Sequence, residues 1–108
     1  MSDVQNEIDV YESRRFTSAL KKLSDSQLTI IENEIDVIIA NPEIGTTKKG
    51  DLSHLRVHKF DFGNSQALLG YSWNETNIEI YLLSLGSHEN FYKKMKSSRK
   101  ADIKLINS

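Results

Sequence analysis

The chain's 108 residues amount to one domain's worth, with 27 % charged and 38 % hydrophobic residues, an ordinary globular composition able to support one core. It contains no cysteine, which excludes disulfides and thiolate metal sites. No apolar run approaches the ~20 residues of a membrane span, and the polar, acidic residues 1–7 are the opposite of a secretory leader, so a cytoplasmic location away from membranes is expected. The net charge of −1 hides a polarity: residues 1–43 carry nine acids against four bases, and residues 44–108 carry ten bases against six acids. A basic second half can present a local anion-binding field even in a near-neutral protein.

Residues 8–11 read as a short first strand. From Ser13 onward, Phe16, Ala19, Leu20 and Leu23 fall at the spacing of an amphipathic helix. A serine or aspartate at 24–26 caps a second helix, with Leu28, Ile31, Ile35, Ile38 and Ile39 along one stripe. Asn41-Pro42 stops it, because proline disfavours helical geometry in the residue before it. Residues 46–51 form a polar loop. The stretches 54–60, 66–73 and 78–85 then read as strands, joined by a Gly63-Asn64 hairpin and a tight turn at 74–77. Ile78, Ile80 and Leu82 alternate with Glu79 and Tyr81, so the last strand should bury one face more than the other. Ser87 caps a final short helix that runs from about His88 into a basic tail. The expected fold is α+β: an N-terminal helical hairpin on one face of a three- to four-stranded antiparallel sheet, followed by a short C-terminal helix. One domain spans 1–108, compact over about 8–96, with the basic tail after it.

His54, Arg56 and His58 lie two apart on a predicted strand and should share one face, with Leu55 and Val57 turned toward the helices. The alternation breaks at Lys59-Phe60, where a bulge would fit. His88 lies just past the end of the last strand, and the loop carrying Lys48 and Lys49 feeds into the His54 strand. Such a set of histidine, arginine, lysine and tyrosine suits RNA cleavage by the RNA's own 2′-hydroxyl. That reaction needs a base for the hydroxyl, an acid for the departing 5′ oxygen, and positive charge on the phosphorane-like transition state. Imidazoles supply acid and base near neutral pH, while arginine and lysine stabilise phosphate charge. The plainer readings are solvated surface histidines, Arg56 paired with Glu79 across the sheet, and Phe91 in the core. Three histidines among several cations make a poor divalent site, so neither a metal nor another cofactor is expected.

In order and spacing, several segments resemble the RelE/ParE toxin superfamily. These are the hairpin ending Asn41-Pro42-Glu43-Ile44-Gly45, the Lys49-Gly50 loop, Leu55-Arg56, Leu69-Gly70-Tyr71, and the run from Ile80 through Ser87-His88 to Phe91-Tyr92. The similarity extends from about Ile8 to Lys96. It implies a type II toxin–antitoxin toxin, held inactive by a cognate antitoxin. RelE-like members cut mRNA in the ribosomal A site, whereas ParE-like members inhibit DNA gyrase without nuclease chemistry. The positions matching the RelE-like catalytic set are Lys49, Arg56, His58, His88 and Tyr92. The His88-to-Tyr92 spacing is like that of the histidine-bearing members. The middle strand lacks a basic residue, which leaves acid and base unassigned.

The leading expectation is therefore a ribosome-dependent mRNA endoribonuclease. His88 or His58 would be the acid or base, Arg56 and Lys49 would stabilise phosphate, and Tyr92 would stack on a base. A gyrase-inhibiting toxin with an inert histidine cluster is the alternative. A degenerate toxin that serves only in autorepression with its antitoxin is a third.

Overall fold

Serines open both N-terminal helices in the computed structural model, which describes residues 8–107. Ser13 Oγ accepts from the Phe16 amide at 3.0 Å to start α1 (Arg14–Lys21). Ser24 and Gln27 exchange side-chain and backbone bonds in a reciprocal capping box that starts α2 (Asp25–Ala40). α1 ends at Lys21, before the Leu23 that closes its expected stripe, α2 ends at Asn41-Pro42 as expected, and their stripes bury Phe16, Ile31 and Ile38.

The sheet is five-stranded and mixed, which corrects the expected three- to four-stranded antiparallel one. Its strands are β1 (Asp9–Glu12), β2 (Thr46–Thr47), β3 (Arg56–Phe62), β4 (Ser65–Asn74) and β5 (Glu79–Ser87), in the order β1-β5-β4-β3-β2. β3, β4 and β5 form the expected antiparallel meander. β1 lies parallel to β5, with Asp9 opposite Glu79 and Glu12 opposite Leu82. All four β1 side chains are exposed, so no burial pattern could reveal its partner; its place is fixed by main-chain bonds. The Asp9 amide donates to the Ile78 carbonyl at 3.2 Å and the Ser13 amide to the Leu82 carbonyl at 2.9 Å. The β3–β4 register runs unbroken from Arg56 to Phe62, so no bulge lies at Lys59-Phe60; the irregularity is in the β4–β5 pairing, between Gly70 and Tyr71.

Helices cover both faces. The hairpin face packs Phe16, Ile31 and Ile38 on Phe60, Leu69, Tyr71, Ile80 and Leu82. The other face packs Phe91 and Met95 of α3 (His88–Ser97) on Leu55, Val57, Leu68, Tyr81 and Leu83. The last strand therefore buries both faces, and Leu55 and Val57 turn toward α3 rather than toward the hairpin. Gly70 makes the close approach possible: a Cβ there would sit 2.7 Å from Phe91 Cζ and 2.9 Å from Leu55 Cδ1. In place of one short C-terminal helix there are two. α4 (Arg99–Ile106) is anchored by Asp102, 2 % exposed, whose carboxylate accepts from Arg15 Nη2 at 3.0 and 3.3 Å.

Candidate functional site

Where β2 runs out, the Lys48 amide still donates to the Leu55 carbonyl at 3.2 Å, extending the ladder by one residue and holding Lys48 beside β3. On α3, His88 and Tyr92 stand one turn apart on the same side. Their rings meet edge to face at 6.1 Å, and Tyr92 also meets the buried Phe91 edge-on at 5.2 Å. The Lys48 ammonium lies 5.0 Å from the centre of the Tyr92 ring, within cation–π range. These groups, with Lys59, Thr46 and an apolar floor of Val57 and Leu68, wall a cleft of about 560 Å³. No carboxylate lines it. Two ammonium groups, an exposed imidazole and an aromatic face without a counter-acid suit a phosphate chain carrying stackable bases.

The loop that brings Lys48 here is pinned from below. The Tyr71 hydroxyl donates to the Pro42 carbonyl at 2.6 Å and accepts from the Gly45 amide at 2.9 Å. Burial pushes the pKa of that hydroxyl up, which keeps it a donor. A Cβ on Gly45 would lie 2.8 Å from the same oxygen, so only glycine lets the chain pass.

The residues predicted for the site divide into two groups. His88 and Tyr92 come together. Lys49 opens the 3-10 turn Gly50–Leu52, exposed and outside the cleft lining; its neighbour Lys48 lines the cleft instead. Arg56 faces the hairpin side, where its Nη1 donates to the Glu43 and Gly45 carbonyls at 3.2 and 3.0 Å rather than to Glu79. His58 borders the cleft at the open edge of β3, but its Nε2 is 2.7 Å from Glu34 Oε1 of α2, and its ring stacks on Phe60 at 5.6 Å. His54 precedes β3 rather than lying on it, and both its ring nitrogens are buried without a hydrogen-bond partner. Burial pushes its pKa down, Asp102 pulls it up and Arg99 lowers it again. Sequence reasoning missed Lys48 and Lys59 as cleft residues. The alternation from Leu55 and Val57 to Lys59 was the available signal, since all three share a face once the bulge is removed. Among the described residues no group of three or more histidine or acidic side chains could hold a metal ion, and no helix is long and apolar enough to cross a membrane.

Comparison with solved structures shows the same fold at low identity. The E. coli RelE toxin in its intact complex with RelB superposes with a TM-score of 0.63 and 16 % identity, covering 76 % of this chain and 98 % of that one. A double-arginine variant of E. coli RelE in the free state gives 0.67 and 14 %, covering 86 % and 96 %. The archaeal RelE of the RelE–RelB complex from Pyrococcus horikoshii gives 0.55 and 20 %, covering 76 % and 96 %. No curated protein is significantly similar in sequence. The family model of the ParE-like toxin of type II bacterial toxin–antitoxin systems matches residues 10–96. With four-fifths of its length matched by that model, on a RelE-type scaffold, this chain belongs to the ParE-like toxins of the RelE/ParE superfamily.

Proposed function

We propose that the chain is a ribosome-dependent mRNA endoribonuclease that acts in the cytoplasm and is held inactive by a cognate antitoxin. The observation that carries this reading is the carboxylate-free cleft in which Lys48, Lys59, His88 and Tyr92 converge. In the reaction the 2′ oxygen attacks the adjacent phosphorus and the P–O5′ bond breaks, leaving a 2′,3′-cyclic phosphate and a 5′-hydroxyl. One proton must leave the 2′-hydroxyl and one must reach the 5′ oxygen. His88 takes the first role, because it is the imidazole in the cleft that carries no carboxylate: His58 is committed to Glu34 and His54 lies elsewhere. The ammonium groups of Lys48 and Lys59 stabilise the charge on phosphorus, and either can protonate the departing oxygen. Tyr92 stacks on a base. Arg56 and His58 hold the frame instead of touching RNA, and Lys48 takes the place first given to Lys49. The antitoxin partnership is supported by the E. coli and P. horikoshii RelE structures, both solved with RelB.

Mapping transcript 5′ ends after induction tests the reading: new ends at defined codon positions should appear with the natural chain and vanish with His88→Ala. Binding of single-stranded RNA should weaken with salt at a log–log slope of about −1.4, the value for two phosphates neutralised by Lys48 and Lys59 at about −0.7 each. The ParE-like family description favours gyrase inhibition as the second reading. There His88→Ala stays toxic and purified gyrase loses supercoiling activity.

A further inference from the structure

We infer that a second, lysine-lined pocket beside the cleft holds a neighbouring nucleotide of the RNA strand that lies in the cleft. The inference rests on the nuclease reading for the identity of that strand, and on the pocket itself for the chemistry. The pocket, about 390 Å³, opens between the end of α1, adjoining ends of β4 and β5, and α3. Lys22 enters it from the α1 side and Lys94 from α3. Neither ammonium makes an ion pair or a hydrogen bond among the described residues. No carboxylate lines the pocket; Ser65, Gln66 and Ser87 do, with the half-buried ring of Phe62. Ser87 opens α3 without spending its hydroxyl on a capping bond, so that group too is left for a ligand.

Acid-free concavities are not what composition gives by default, since the chain carries 15 acids against 14 lysines and arginines. Asp36 lines the groove beside Trp73, and Glu12 and Asp102 line the one beside α4. The acid-free pocket instead backs onto the acid-free cleft. Ala67 and Ser87 line the pocket, and the residues that follow them, Leu68 and His88, line the cleft. Ala67 and Ser87 are themselves paired across β4 and β5, so the partition is a single layer of sheet. Ser87 and His88 are ~3.8 Å apart along the backbone. β1 stops opposite Leu82, so among the described residues no strand covers the outer edge of β5 from there to Ser87. An RNA strand with one phosphate at His88 can therefore pass Ser87 and set its next nucleotide in the pocket. A bare phosphate ion would leave Phe62, Leu23 and Leu85 unused. A nucleotide offers its base to that apolar wall and its phosphate to the two ammonium groups. An acidic peptide would satisfy the lysines as well, but nothing would tie it to the rim shared with the cleft.

The test uses the full chain and a 2′-O-methyl RNA of about eight nucleotides, which lacks the attacking hydroxyl and is bound without being cut. Cleft and pocket together neutralise four phosphates, so the log–log salt slope should steepen to about −2.8 from the roughly −1.4 of the cleft alone. Lys22→Ala combined with Lys94→Ala should return it to about −1.4. The melting temperature should not change, because neither lysine holds a protein partner. A strand with 4-thiouridine placed at each position in turn should crosslink to Tyr92 from one position and to Phe62 from a neighbouring one. A slope untouched by the double variant, or crosslinks confined to the cleft, would overturn the proposal. So would an oligoglutamate peptide of matched charge that binds as tightly as the strand. In complexes with ribosomes, Phe62 crosslinks that come from ribosomal RNA and never from the message would overturn it as well. Cleavage is scored separately on unmodified RNA: a chain that shows the steep slope and the Phe62 crosslink but cuts nothing fails the nuclease reading and leaves the pocket standing.

Discussion

The two faces of the sheet hold the same residue types under opposite conditions. On the hairpin face, Arg56 and His58 are spent on protein partners: two loop carbonyls and the Glu34 carboxylate. On the α3 face, Lys48, Lys59 and His88 border open space, with only aromatic rings for company. A cation or imidazole with its bonds already made holds the fold, and one left without an anion is available to a ligand. Residue type alone therefore does not separate the two roles; the layer each side chain meets does.

The largest expected effect divides the two histidines. His88→Ala should cost about 10²–10⁴ in cleavage rate, the usual worth of a general acid or base, with an unchanged melting temperature. His58→Ala should do the reverse, lowering the melting temperature through the orphaned Glu34 while cleavage persists in the folded fraction. Comparing single-turnover cleavage with thermal melts decides it, and exchanged phenotypes would break the comparison of faces.

Next comes the bond that ties the hairpin layer to the C-terminal layer. Arg15→Ala leaves the Asp102 carboxylate buried without its cation and should cost about 3 kcal/mol in urea unfolding, near the low end for a broken buried pair because Arg15 is itself 30 % exposed. Replacing both partners, Arg15→Met with Asp102→Leu, should recover most of that loss. Gly70→Ala should cost about 1–3 kcal/mol by overpacking Phe91 and Leu55. Because Phe91 adjoins Tyr92, it should also disturb the cleft and raise KM.

The smallest effect is a pH dependence. Burial holds His54 below its ordinary 6.5 in the folded chain, so on acidification the unfolded chain takes up the proton first. Stability should be complete above about pH 6.5 and fall as pH drops from there through the folded-state pKa. His54→Phe, which removes both unpartnered nitrogens, should flatten that slope in melts taken across the acidic range.

Legibility in the sequence followed burial. The hairpin and the meander could be read because Phe16, Ile31 and Ile38 repeat at helical spacing and turn residues separate three branched-rich runs. β1 was visible as a strand but not in its pairing, since Asp9 to Glu12 bury nothing that would mark a face. Alternation showed that Leu55 and Val57 share a side; it could not show that α3, rather than the hairpin, covers that side. That one ambiguity moved Arg56 out of the cleft and left His58 at its border, bonded to Glu34. The choice between Lys48 and Lys49 turned on a single ladder bond to Leu55, which no composition or periodicity encodes. His88 and Tyr92 were singled out by the resemblance, and helical spacing places them on one side of α3.

The bonds that close the N-terminal segment span most of the chain. Ser13 Oγ donates to the Leu83 carbonyl 70 residues later, and Arg15 meets Asp102 87 residues later. During synthesis, at roughly 5–20 residues per second, Ser13 therefore waits about 3.5 to 14 s for its partner to be made. β1 has no sheet to join until β5 exists, and the cleft lacks His88 and Tyr92 until α3 follows. A nascent chain thus stays without its assembled cleft until α3 has been made. That delay gives any partner that meets the nascent chain a window in which the toxin is present but not yet competent.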